Sequence, residues 1–248
     1  QKVINYTYDR YNSISKEEKE AVKKVMETGV LSDYIGADCD GFLGGPNVRK
    51  LEKLASDYFG VKYAISVNSW TSGLTIAMGA IGISPGDEVI TTSWTMSATA
   101  TAVIQWNAIP VFCDIDEHTF CIDHRKIREL ITSKTKAIIA VDIYGQSANM
   151  TKIMEIAEEN NLMVISDTAQ SPGAKHNDVY AGTLAHIGGY SLNYHKHINC
   201  GEGGIIVTND SKLAYRCQLI RNHGEAVVGP NNKDIINIIG GNYRLGEI

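Results

Sequence analysis

The chain has 248 residues, 44% of them hydrophobic and 21% charged, which supports a large packed core and excludes wholesale disorder and a disulfide-stapled mini-protein. A formal net charge of −5 and a pI near 5.8 leave no basic footprint for nucleic acid. The five cysteines, Cys39, Cys113, Cys121, Cys200 and Cys217, are scattered and form no CxxC pair, so reduced thiols in a cytoplasmic protein are expected rather than a disulfide framework or structural zinc.

In chain order, residues 1–10 lack the apolar centre of a signal peptide, and no window approaches 18 apolar residues, so no membrane partner is expected. Ser15-Lys16-Glu17-Glu18 is a capping box, which predicts a helix running to about Gly29, its charged residues forming a solvated face. Residues 32–45 are rich in Gly and Asp, show no period and are expected to form a long loop. Pro46 then opens a second helix, with Val48, Leu51, Leu54 and Ala55 on one face.

From Val61 the pattern alternates. Apolar runs at 63–67, 88–92, 109–114, 137–142 and 163–166 predict strands, with Cys113 a small core residue. Segments 71–81, 97–106, 123–131 and 150–160 predict helices between them. Such alternation predicts an α/β fold: a mostly parallel sheet covered on both faces, in three α/β/α layers. After Ser166 the pattern loosens, then 205–208 predicts a strand and 211–220 a helix. Residues 1–45 thus read as an N-terminal helix and loop, and 46–248 as a large domain.

Ligands of open α/β sheets bind beyond the carboxyl ends of the strands, so the residues after each apolar run are the candidates. Ser69, Trp70 and Thr71 follow the first strand and open a helix. Free N–H groups there, with two hydroxyls, suit a phosphate, or simply cap the helix. Trp94 can stack on a flat heterocycle or pack on a helix. Asp167 can hold a proton on a heteroaromatic nitrogen, as an electron-sink pyridinium requires, or act as a cap or metal ligand. Lys196 lies between a strand and a Gly-rich turn, where protonated His195 or His197 would depress its pKa and favour a nucleophilic amine. The alternatives there are a surface lysine, or a metal held by His195, His197 and Cys200, a set short of further ligands. The order of phosphate site, aromatic, aspartate and lysine, each at a strand end, fits a pyridoxal 5'-phosphate pocket, and no metal is expected.

The stretches 67–74, 82–89, 110–116, 144–146, Asp167-Thr168-Ala169-Gln170, 196–204 and 241–245 together resemble the DegT/StrS family of pyridoxal-phosphate-dependent sugar aminotransferases, of the aspartate-aminotransferase type I fold. The resemblance covers essentially the whole chain. It implies that Lys196 holds the cofactor covalently, Asp167 partners the pyridine nitrogen and Gln170 lies near the phenolic oxygen. It further implies that Trp94 covers the ring, that Ser69, Trp70, Thr71 and Ser191 hold the phosphate, and that Asn242 reaches the phosphate of a neighbouring subunit, so that a homodimer shares its active sites. Two positions depart: Trp70 stands where many relatives have glycine, and Asp142 where histidine is common, so substrate contacts at 142 are not carried over. Related sugar 3-dehydratases carry histidine at the position of Lys196; here the lysine is present, with His197 one residue later.

The activity implied is amino transfer from an amino acid, by family analogy glutamate, to a keto group of a nucleotide-linked keto-deoxy sugar, in surface polysaccharide or amino-sugar biosynthesis. The alternatives are a sugar dehydratase, or a non-catalytic cofactor-binding regulator of the same fold. Family members typically continue into a small C-terminal domain, so this chain is expected to be the large domain of a longer enzyme.

Overall fold

The computed structural model describes residues 12–228 and 238–248; the reading of residues 1–10 lies outside them. Helix α1 (Lys16–Thr28) starts where Ser15 accepts a hydrogen bond from the Glu17 N–H and donates its own N–H to Glu18 at 2.6 Å. It stops at Gly29, whose φ of 69° is the left-handed conformation that glycine adopts without steric cost. Only Val25 of this helix is buried. The loop expected over 32–45 is not wholly irregular. A 3-10 turn, Asp40–Leu43, sinks Phe42 against Leu219 and Ala226. Helix α2 (Pro46–Phe59) follows, with proline in its first turn, where no backbone donor is needed.

Strands β1 (Tyr63–Val67), β2 (Glu88–Thr92), β3 (Ile109–Cys113), β4 (Thr135–Val141) and β5 (Met163–Asp167) alternate with helices α3 (Trp70–Ala80), α4 (Ala98–Ile104), α5 (His124–Ile127) and α6 (Met150–Glu159). A small hairpin, β6 (Lys175–His176) and β7 (Val179–Tyr180), precedes β8 (Ile187–Ser191), β9 (Gly204–Thr208) and α7 (Ser211–Arg221). The seven-stranded sheet has the order β1-β9-β8-β5-β4-β2-β3. β9 pairs antiparallel with both β1 and β8, and the remaining pairs are parallel. All of these strands except β9 therefore point their carboxyl ends to one edge, and β9 starts from that edge.

Side-chain alternation gives the sheet two apolar faces. Ile65, Val67, Ile139, Ile165, Ile187 and Ile206 pack with α3, α4 and α7. Ile138, Ala140 and Val164 face α5 and α6, while Tyr190, Ile205 and Val207 face α2. The layered α/β/α expectation holds, and Cys113 is buried at 1% exposure. One expectation is corrected, and one strand was not foreseen. The helix expected over 123–131 is the short α5, tightening into a 3-10 turn at Arg128–Leu130. Strand β8, in the stretch where the pattern loosened, carries two glycines that weaken its strand signal.

Candidate active site

The residues singled out at strand ends converge on the one sheet edge. Ser69 is the N-cap of α3; its hydroxyl accepts the Ser72 N–H at 3.0 Å and lies 2.8 Å from the Ser72 hydroxyl. Thr71, in the first turn, is half-buried. These groups crown the positive end of a helix of 11 residues. Ser191 closes β8, nearly buried, and its hydroxyl accepts the Asn193 N–H at 3.3 Å. Trp94 follows β2 with 46% of its surface open and its ring 6.1 Å from that of Phe120.

Asp167 ends β5, two residues after the core residue Ile165, and is 5% exposed. Its Oδ1 accepts from the Trp70 indole Nε1–H at 2.6 Å and the Ala169 N–H at 3.3 Å, and its Oδ2 from the Thr99 hydroxyl at 2.9 Å. Burial pushes its pKa up, and the donors from Thr99, Trp70 and Ala169, with the charge of Lys196, oppose that rise. Thr99 went unnoticed in the sequence, because a threonine within a helical segment carries no signal of its distant partner.

Lys196 sits in a loop that its own hydrogen bonds fold back. The Cys200 N–H reaches the Leu192 carbonyl at 3.0 Å, the Lys196 N–H reaches the Asn193 carbonyl at 2.8 Å, and the Asn193 amide holds Glu202 at 2.8 and 2.9 Å. Burial lowers the lysine pKa and the Asp167 charge opposes it. The depression comes from desolvation of the amine. Gln170 accepts the Tyr144 N–H at 3.4 Å, and Tyr144 holds φ at 55° beside the site, a strained value for a bulky residue. Asn242 is exposed, its carbonyl accepting from the Asn68 amide at 3.3 Å, next to the start of α3. His195 and His197 are exposed. Among the described residues no group of three or more His, Cys, Asp or Glu is placed to hold a metal.

The Trp70 ring does not displace its backbone from the helix start. It is 4% exposed and runs under β8 to Asp167. A Cβ on Gly189 would fall 1.9 Å from it, and one on Gly73 2.5 Å. The two glycines are therefore the space the indole occupies.

The donor set suits a flat, phosphorylated aldehyde cofactor: an amine with burial-lowered basicity, a buried carboxylate that feels its charge, and hydroxyl and amide donors at a helix start. Comparison with known proteins agrees. The chain is 42% identical over 231 residues to "GDP-perosamine synthase" of Caulobacter vibrioides, covering 93% of this chain and 59% of that protein. It superposes on an aminotransferase from Psychrobacter cryohalolentis with a TM-score of 0.85 at 32% identity, covering 97% of this chain and 61% of the other. Against ntda from Bacillus subtilis, solved "with bound cofactor pmp", the TM-score is 0.81 at 33% identity, covering 98% of this chain and 55% of the other. The chain thus spans little more than half the length of these relatives. Residues 12–248 match the profile of the DegT/DnrJ/EryC1/StrS aminotransferase family, and the chain belongs to that family.

Proposed function

We propose that the protein is a pyridoxal-phosphate-dependent aminotransferase, moving an amino group from glutamate to the keto group of a nucleotide-linked keto-deoxy sugar. The observation that carries this reading is Lys196, an amine whose charge burial disfavours, within reach of the charge of the buried Asp167 carboxylate at a strand edge that also gathers Ser69, Thr71 and Ser191. When bound, pyridoxal phosphate supplies an electron sink that stabilises a carbanion next to nitrogen.

The chain's own residues do the rest. Ser69, Thr71, Ser191 and the N–H groups opening α3, Trp70 included, would anchor the phosphate. Asp167 would hold a proton on the pyridine nitrogen, and Gln170 and Trp94 would help bind the ring. Lys196 Nζ takes the Cα proton of the donor as base and delivers a proton to the former keto carbon of the acceptor as acid, its lowered pKa suiting both roles. The resemblance extends the proposal to a cytoplasmic homodimer in which Asn242 serves the partner's phosphate. The similarity to GDP-perosamine synthase supports a nucleotide-linked sugar as acceptor.

Purified protein incubated with glutamate, pyridoxal phosphate and a panel of nucleotide-linked keto sugars should yield an amino sugar of the mass expected for transamination. Lys196→Ala should lose the covalent cofactor absorbance and slow turnover at least about a thousandfold. A variant turning over at the wild-type rate, or a dehydrated product, would overturn the assignment; cofactor uptake with no half-transamination by glutamate would indicate a regulator.

A further inference from the structure

We propose that Trp70 is a positioning residue for the cofactor's pyridine nitrogen, its indole N–H fixing Asp167 in orientation and in the ionised form. The inference rests on the reading above and assigns a role to the ring of Trp70, where so far only its backbone had one. Three observations meet here. The indole Nε1–H reaches Asp167 Oδ1 at 2.6 Å, inside the site and not on the surface. The ring's seat is carved by glycines: Cβ atoms on Gly73 and Gly189 would lie 2.5 and 1.9 Å from it. Finally, the Thr99 hydroxyl holds the other oxygen at 2.9 Å from α4, so both carboxylate oxygens are gripped from the helix side.

An ionised carboxylate has about four lone-pair sites. Trp70, Thr99 and the Ala169 N–H occupy three, leaving one for a pyridinium N–H. A carboxylate this deeply buried tends to take up a proton itself and would then lose its use as a pyridinium partner. Among the described residues, the groups that oppose this are the charge of Lys196 and the neutral donors Thr99, Trp70 and the Ala169 N–H. Its neighbour across β8 is Gly189, which adds no group. Trp70 is thus one of two side-chain donors that keep Asp167 charged, and removing it moves the titration of Asp167 upward.

The test is cofactor affinity as a function of pH, read by absorbance titration of the purified protein with pyridoxal phosphate. Trp70→Phe keeps the ring and removes the donor. It should weaken affinity at least about tenfold at mildly acid pH, the ratio expected for one lost donor to a charged acceptor. It should also shift the acid limb of the affinity profile to higher pH, with affinity recovering towards wild type as pH rises. Thr99→Val should move the limb in the same direction. A role in packing alone would not move it. Coincident limbs, or tighter binding by Trp70→Phe, overturn the role of Trp70 while leaving the aminotransferase reading intact; no uptake by the wild type overturns both.

A second measurement needs neither the cofactor nor a folded Trp70 variant. Of the three indole N–H resonances of the 15N-labelled wild type, one should be protected from exchange, move with a carboxyl titration, and lose that movement in Asp167→Ala. Three indole signals indifferent to Asp167→Ala overturn the proposal.

Discussion

Asp142 and Asp167 stand at the carboxyl ends of the neighbouring strands β4 and β5, yet their surroundings separate them. Asp167 feels the charge of Lys196. Asp142 is completely buried and takes the Ala148 N–H at 2.8 Å, the Ser166 hydroxyl at 2.8 Å and the Thr168 hydroxyl at 2.7 Å. Burial raises its pKa and those donors lower it. Its hydrogen bonds tie the turn after β4 to the segment after β5, so position 142 is a structural knot in this chain. Asp142→Ala would strand those donors in a dry site and should cost about 2–4 kcal/mol in urea unfolding. Asp142→Asn keeps one acceptor oxygen and should cost less. A loss near zero for alanine would mean the turn is held by something else. Asp167 was legible as a candidate because it is a polar group placed where an apolar run ends, and Lys196 because it stands just before a Gly-rich turn. The bond between Trp70 and Asp167 was not, because it spans 97 positions of sequence and depends on glycines whose purpose appears only once β8 is in place.

At the scale of elements, the strands with unbroken apolar runs were legible to within a residue or two. β8 was not, for a reason found in its packing. A Cβ on Gly188 would fall 1.8 Å from the Gly182 carbonyl oxygen, so close approach removes the side chains that would have marked a strand. The start of β8 leaves a further trace. Its pairing with β5 begins at Ile165 and Ile187, and the preceding Val164 N–H is taken instead by His186 Nδ1 at 3.0 Å. That bond requires Nδ1 unprotonated, and burial depresses the His186 pKa below its ordinary 6.5. The unfolded chain therefore takes up this proton first. The contribution is absent at neutral pH, and stability falls as pH drops through about 6.5 towards the depressed folded value, by at most about 1.4 kcal/mol per pH unit. His186→Asn offers an acceptor at the same place and does not titrate. Urea midpoints from pH 7.5 down to pH 5 should fall less steeply for it than for the wild type, and parallel slopes would remove His186 as the cause.

For the molecule as a whole, the α/β class followed from alternation, but the reversal of β9 did not, since an apolar run carries no direction. Nor did the sequence show what closes the β1 edge. Arg221, 0% exposed at the end of α7, donates from Nη1 to Glu52 Oε1 at 2.6 Å and to the Ser66 carbonyl at 3.1 Å, while its guanidinium lies 4.9 Å from the Tyr34 ring centre. Next to it the Asn222 amide holds the Ile35 carbonyl, the Tyr243 N–H reaches the Arg221 carbonyl, and the Tyr243 carbonyl accepts the Asn68 N–H, one residue before the cap of α3. Arg221 thus joins the 32–45 loop, α2 and β1 through its side chain, and the 241–245 segment through its carbonyl, behind the start of α3. Removing one partner of a buried pair leaves the other's charge uncompensated. Arg221→Met should therefore cost about 3–5 kcal/mol in urea unfolding. Because the pair is largely out of solvent, the loss should be nearly as large in 1 M salt as in dilute buffer. The solvent-exposed pair Lys53–Asp57 on α2 supplies the contrast: Lys53→Met should cost less than about 1 kcal/mol, and salt should shrink even that. If the Arg221→Met deficit shrank in salt as the surface pair's does, the guanidinium would be exchanging with solvent, and the β1 edge would owe its closure to the apolar contacts of Phe42 and Leu219 instead.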